Sequence, residues 1–245
     1  LRREITDRVL ALAAAPDEAF SLCDSGRIDW RGDAIAKLAP GVTALSPRLT
    51  LTRGETLTPR LRAAVIARLE TWLGGHIART LAPLVRIGEA DLAGAARGLA
   101  YHLDEHLGIA RTRDVADLVT ALTGAEKRRM QRLGVRFGRA FVFLPLLVKP
   151  ARRRLALILW AAHRGIETPP VAQPGRVSMA VAAGLPDGYY EAAGYAVVGP
   201  RAVRVDMLER LAETVHAAES RGPVAESPEL LSIVGCPRAE LPEIM

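Results

Sequence analysis

Ten side chains able to hold phosphate stand close together in this 245-residue chain. Lys127, Arg128, Arg129, Arg132, Arg136, Arg139, Lys149, Arg152, Arg153 and Arg154 share the stretch 126–154 with a single acid, Glu126, so that stretch carries +9. The whole chain carries +6, which leaves −3 for the other 216 residues. A basic segment on a slightly acidic body points to a polyanionic partner, because a face that only keeps a protein soluble interleaves acids with its cations. Guanidinium groups grip phosphate oxygens in pairs and stack on bases. Arg128 and Arg132, four apart, fall on one helix face. Lys149 and the Arg152–Arg154 triplet fall where a helix is expected to begin, and its free amides also favour an anion. These ten residues are the candidate nucleic-acid-binding set. The competing readings are a solvated or internally paired face and an anionic membrane surface.

Other motifs carry less. "QRLGVRFGR", residues 131–139, approaches the Q-x-x-G-R-x-G-R pattern whose arginines reach the γ-phosphate of ATP in superfamily 2 helicases. Val135 is one residue too many for it, and the chain has no G-x-x-x-x-G-K-[ST] loop. "GRAFVFL", 138–144, approaches the base-stacking strand of RNA-recognition motifs, but Leu144 replaces the last aromatic and the surrounding βαββαβ pattern is missing. Phe137, Phe141 and Phe143 are therefore read as core on one face of a strand. "HLDEH", 102–106, matches H-x-x-E-H and sets two histidines four apart, yet lacks a third ligand. His102 and His106 each precede a core leucine and are read as boundary residues. No nucleophile or metal set is assigned, and no cofactor is expected to bind this chain.

The elements that must present these residues are mainly helical. Ala, Leu and Arg are abundant and aromatics make up only 4%, a composition that favours helices over a sandwich. A short amphipathic helix is expected over 1–15. Runs 20–23, 27–30 and 49–51 predict a small antiparallel sheet, turned at Asp24-Ser25-Gly26. Thr58-Pro59 opens a long helix with a stripe at Leu61, Val65, Leu69, Trp72, Leu73 and Ile77, weakened at Gly74-Gly75 and ended by Pro83. Further helices are predicted around Leu92–Leu107, Asp114–Leu122, from the capping box Thr123/Glu126 to Gly134, and from Pro150 to Gly165. "VRFGRAFVFLP" predicts one strand. "ETPPVAQPG", 167–175, is the most linker-like stretch. Strands at 177–181 and 195–198 and a helix capped by Asp206 with Glu209 three residues on complete the reading. The expected class is α+β, predominantly helical, with two small antiparallel β regions. Three segments are expected: 1–55, 56–165 holding the basic stretch, and 166–245.

The two cysteines, Cys23 and Cys236, form neither a metal spacing nor a disulfide framework, and this fits a reducing, cytoplasmic setting. The longest apolar run, 140–148, is too short to span a membrane, and no signal peptide is recognisable. A first residue other than Met and a last stretch "AELPEIM" that stops within a helix-like pattern predict a piece of a longer protein.

Three segments together, "LGVRFGRAFVFLPLLVKP" (133–150), "GYAVVGPRAVRVDMLERLAE" (194–213) and "LLSIVGC" (230–236), resemble the region after the helicase core in bacterial relatives of the mitochondrial degradosome RNA helicase. "GRIDWRGDAIAKL" and "ARGLAYHLDEHLG" are similar to that region too, in the same order. The resemblance runs over nearly the whole chain. It implies a parent that is an ATP-dependent superfamily 2 RNA helicase, with ATP and Mg bound only in a motor core N-terminal to Leu1. It transfers no catalytic residue. The expected role is an accessory module that grips RNA or other single-stranded nucleic acid beside its own helicase core. The alternative is a structural module that packs on that core or recruits a partner such as a nuclease.

Overall fold

A computed structural model describes residues 2–219 and 228–245; Leu1 of the first expected helix and 220–227 of the third expected segment lie outside these. The chain is α+β and predominantly helical, 55% helix against 16% strand in small antiparallel sheets. It divides into two compact units, one formed by 1–80 with 157–170, the other by 81–156 with 171–245. The division at 170/171 falls inside the linker-like "ETPPVAQPG".

In the first unit, α1 (Arg2–Ala13) leads to a four-stranded meander of β1 (Phe20–Leu22), β2 (Arg27–Trp30), β3 (Asp33–Ala39) and β4 (Arg48–Leu51), in sequence order. Arg31 and Gly32, with φ of 52° and 87°, make the β2–β3 turn, the pair of left-handed residues that matches strand twist. α2 (Pro59–Thr80) then buries Val65, Leu69, Trp72, Leu73 and Ile77, the stripe its spacing predicts. Thr58 Oγ1 accepts the Leu61 amide at 3.4 Å. Gly74-Gly75 do not interrupt the helix, since the buried residues on either side hold it. Trp72 anchors it by donating Nε1–H to the Asp17 carbonyl at 3.1 Å.

In the second unit, α3 (Ala82–Glu89) follows after one non-helical residue. Pro83 lies in its first turn, where a missing N–H costs nothing. α4 (Gly94–Glu105) ends at Leu107 and Gly108, with φ of 51° and 86°. Then come β5 (Ile109–Arg111), α5 (Ala116–Ala121), α6 (Gly124–Arg132), β6 (Arg136–Phe137), β7 (Phe141–Phe143) and α7 (Pro150–Arg164), whose later turns belong to the first unit. The second unit resumes with β8 (Ser178–Ala180), α8 (Tyr189–Ala192), β9 (Tyr195–Val198), β10 (Arg201–Arg204), α9 (Val205–Glu219), α10 (Pro228–Val234) and α11 (Leu241–Ile244).

Among the described residues three sheets are present rather than two, because β5 pairs with β7, and β7 with β6. The single strand expected over 135–145 is a hairpin. β10, also unanticipated, is the central strand between β8 and β9. The core of this unit gathers Ile109, Phe141, Phe143, Ala196, Val203, Val205, Leu208, Leu211, Ile233 and Leu241. Phe141 and Phe143 are core as expected, whereas Phe137 lies on the other strand and is half-buried. Among the described residues no helix is long and apolar enough to cross a membrane.

Candidate nucleic-acid interface

α6 starts the basic segment and explains what its one acid does. Thr123 Oγ1 accepts the Glu126 amide at 3.2 Å, and Glu126 Oε2 accepts the Thr123 amide at 2.8 Å and its hydroxyl at 2.7 Å. These bonds hold the Glu126 carboxyl below the usual carboxylate range. Its charge is spent on the helix cap and not on the neighbouring arginines. Met130 is the one residue of α6 that is fully buried, so Lys127, Arg128, Arg129 and Arg132 are all exposed. The helix closes with Val135 donating to Met130 O at 3.0 Å around Gly134, φ 99°. Arg129 and Arg132 in that last turn also suit the negative end of the helix.

The β6–β7 hairpin continues the cluster. Lys127 Nζ lies 5.1 Å from the centre of the Phe137 ring, a cation–π contact that ties α6 to β6. Arg136, opposite Phe143 in the ladder, pairs with Glu213 of α9 at 2.6 Å, and both side chains are about half exposed. Arg139 sits exposed at the hairpin tip. Arg128, Arg129, Arg132, Arg139 and Lys149 form no ion pair with a described residue.

The second group, at the start of α7, divides by helical geometry. Successive helix residues point about 100° apart, so three consecutive arginines cannot all face water. Arg154 is exposed, Arg152 is half-buried and donates to Leu146 O at 2.9 Å, and Arg153 is buried. This corrects the expectation for Arg153 as a surface ligand. Its Nε donates to Leu147 O at 2.7 Å, its Nη2 to Leu107 O, and its Nη1 is enclosed without a partner. Burial pushes its guanidinium down to about 10. The stem passes over Gly194, where a Cβ would lie 2.7 Å from Arg153 Cδ. The structure thus ties Lys127 of α6 to Phe137 of the hairpin that carries Arg136 and Arg139, while β7 and a turn at 145–148 intervene before Lys149 and the α7 group.

Sequence reasoning misread both Asp206 and Glu209, which it placed together in a helix cap. Asp206 takes Arg204 in a two-point pair at 2.6 and 3.0 Å instead of capping α9. Glu209 is fully buried and accepts the backbone amides of Arg139, Ala140 and Phe141. The available signal was its position four residues after Val205 on the apolar stripe of α9. At the end of α4, the His102 and His106 rings stack 4.1 Å apart, and His106 Nδ1 lies 2.9 Å from His102 O. Burial, followed by the neighbouring His106, lowers the His102 pKa. Among the described residues no three potential ligands converge to hold a metal. Comparison with family models, curated proteins and solved structures finds no match to this chain.

Proposed function

We propose that the chain is an accessory RNA-binding module of a cytoplasmic superfamily 2 RNA helicase, gripping the phosphate backbone through α6, the β6–β7 hairpin and the residues before α7. The observation that carries this reading is the cluster of exposed cations Arg128, Arg129, Arg132 and Arg139, left without carboxylate partners among the described residues while the local acid is committed to a cap. The segments that resemble the region after a helicase core support the same parent, and ATP and Mg belong to that parent's motor. The module acts by neutralising phosphates and releasing counterions, with little base readout.

The test is a filter-binding titration of the chain with unrelated single-stranded RNAs at several salt concentrations. Similar affinity for each, with a steep salt dependence, is expected. Replacing Arg128, Arg129 and Arg132 with Gln should flatten the log–log slope by about 0.7 per lost contact. A second reading, a structural or partner-recruiting module, draws on Arg153 and Arg136, whose charges serve the fold itself. It takes over if no salt-dependent RNA binding is seen.

A further inference from the structure

The hairpin that carries Arg136 and Arg139 is held from behind by α9. Glu209 is 0% exposed; its Oε1 accepts the Arg139 amide at 2.5 Å, and its Oε2 accepts those of Ala140 and Phe141 at 3.0 Å each. Three successive amides converging on one anion form a backbone nest, the geometry with which main chains hold phosphate. Gly138 makes room for it, because a Cβ there would lie 2.3–2.5 Å from the carboxylate. The same turn is closed by Gly138 N–H to Phe141 O at 2.8 Å and by the Thr112 amide to Ala140 O at 2.9 Å. One helical turn further along α9, Glu213 takes Arg136 at 2.6 Å. β6 is only two residues long, and so short a hairpin has little stability of its own.

We infer that Glu209 is the positioning residue of the nucleic-acid interface: it fixes the tip 138–141 so that Arg139 meets phosphate already in place. The inference rests on the proposed function and refines it. A cation on a mobile turn loses conformational freedom when it binds, whereas one on a fixed turn has lost it on folding. Glu209, being enclosed, touches no RNA and acts only through the turn.

The test uses the whole chain and a labelled uridine oligonucleotide, with affinity measured by fluorescence anisotropy. Arg139→Gln alone should weaken binding about three- to fivefold at moderate salt, the worth of one phosphate contact. In a Glu209→Gln background the same change should cost less than about twofold, while Lys149→Gln keeps its full cost in both backgrounds. Gly138→Ala, which alters no charge but displaces the carboxylate, should mimic Glu209→Gln and serves if that variant does not fold. Amide exchange in the unaltered chain gives an independent readout: the Arg139 and Ala140 amides should exchange at least about tenfold more slowly than exposed turn amides. Equal costs of Arg139→Gln in both backgrounds, or unprotected amides at 139 and 140, overturn the inference alone. Absence of RNA binding by the unaltered chain overturns the proposed function and the inference with it.

Discussion

Replacing Arg153 with Gln removes two hydrogen bonds and one buried charge, and these losses act in opposite directions. Hydrogen bonds from a charged donor contribute about 1.5–3 kcal/mol each, so those to the Leu147 and Leu107 carbonyls together hold about 3–6 kcal/mol. Burial lowers the guanidinium to about 10, a change worth about 3 kcal/mol against the charged form. A base whose folded value is lowered is a burden at every pH below that value, so removing it relieves the fold throughout the neutral range. Gln is shorter, leaves both carbonyls without that donor and opens space beside Gly194. The balance is a destabilisation of about 1–3 kcal/mol. Urea unfolding followed by circular dichroism should show a midpoint lower by about 0.5–1 M. Under conditions where the variant is folded, its RNA affinity should stay within about twofold of the unaltered chain, while Lys149→Gln shows the reverse pattern. An unchanged midpoint together with RNA binding weakened as much as by Lys149→Gln would mean that Arg153 reaches solvent, and the reasoning would fail.

Glu213→Gln should release Arg136 from its 2.6 Å pair and strengthen RNA binding about two- to threefold with a steeper salt dependence; anisotropy titration showing weaker binding would count against it. Thr123→Ala should cost about 1 kcal/mol through loss of the α6 cap, read from unfolding curves. The Glu126 carboxyl is held low, so its contribution is present above the unfolded carboxylate range and is lost as pH falls through the folded value. α6 amide protection should therefore drop with acidification, and less so in Glu126→Gln. Gly194→Ala combines φ of 88° with a 2.7 Å approach to Arg153, and should destabilise by about 1–3 kcal/mol in the same unfolding assay.

Long periodic elements were legible from the residues. The α2 stripe, the Thr123/Glu126 box and the opening of α7 at Pro150 each rest on local chemistry that packing elsewhere does not override. β3 was not legible, because "DAIAKLA" has helix-forming composition and becomes a strand only by pairing with β2 and β4. β5 and β10 are three and four residues long and are defined by partners distant in sequence or by a tight turn. The turn that splits the phenylalanine stretch into a hairpin is bonded to Glu209, seventy residues from Arg139 along the chain. No window of local sequence contains that information.

The same distinction governs the basic segment. Its +9 is a sum over residue types, but a phosphate responds to where each charge stands. Arg153 contributes its charge from inside the fold, and Arg136 shares its charge with Glu213. Arg128, Arg129, Arg132 and Arg139 offer theirs to water. Helical geometry alone separates Arg153 from Arg154, and the position of Glu209 on the apolar stripe of α9 marks it as buried, so both assignments follow from spacing once the elements are known. What spacing does not supply is the target of a buried polar group. Arg153 finds two carbonyls and Glu209 finds three amides. In each case the charged side chain meets main-chain groups where the chain turns, at 107–108 and 145–148 for Arg153 and at 138–141 for Glu209. These two charges therefore hold main-chain turns in place from inside the fold, and the turn that Glu209 holds is the one that carries Arg139.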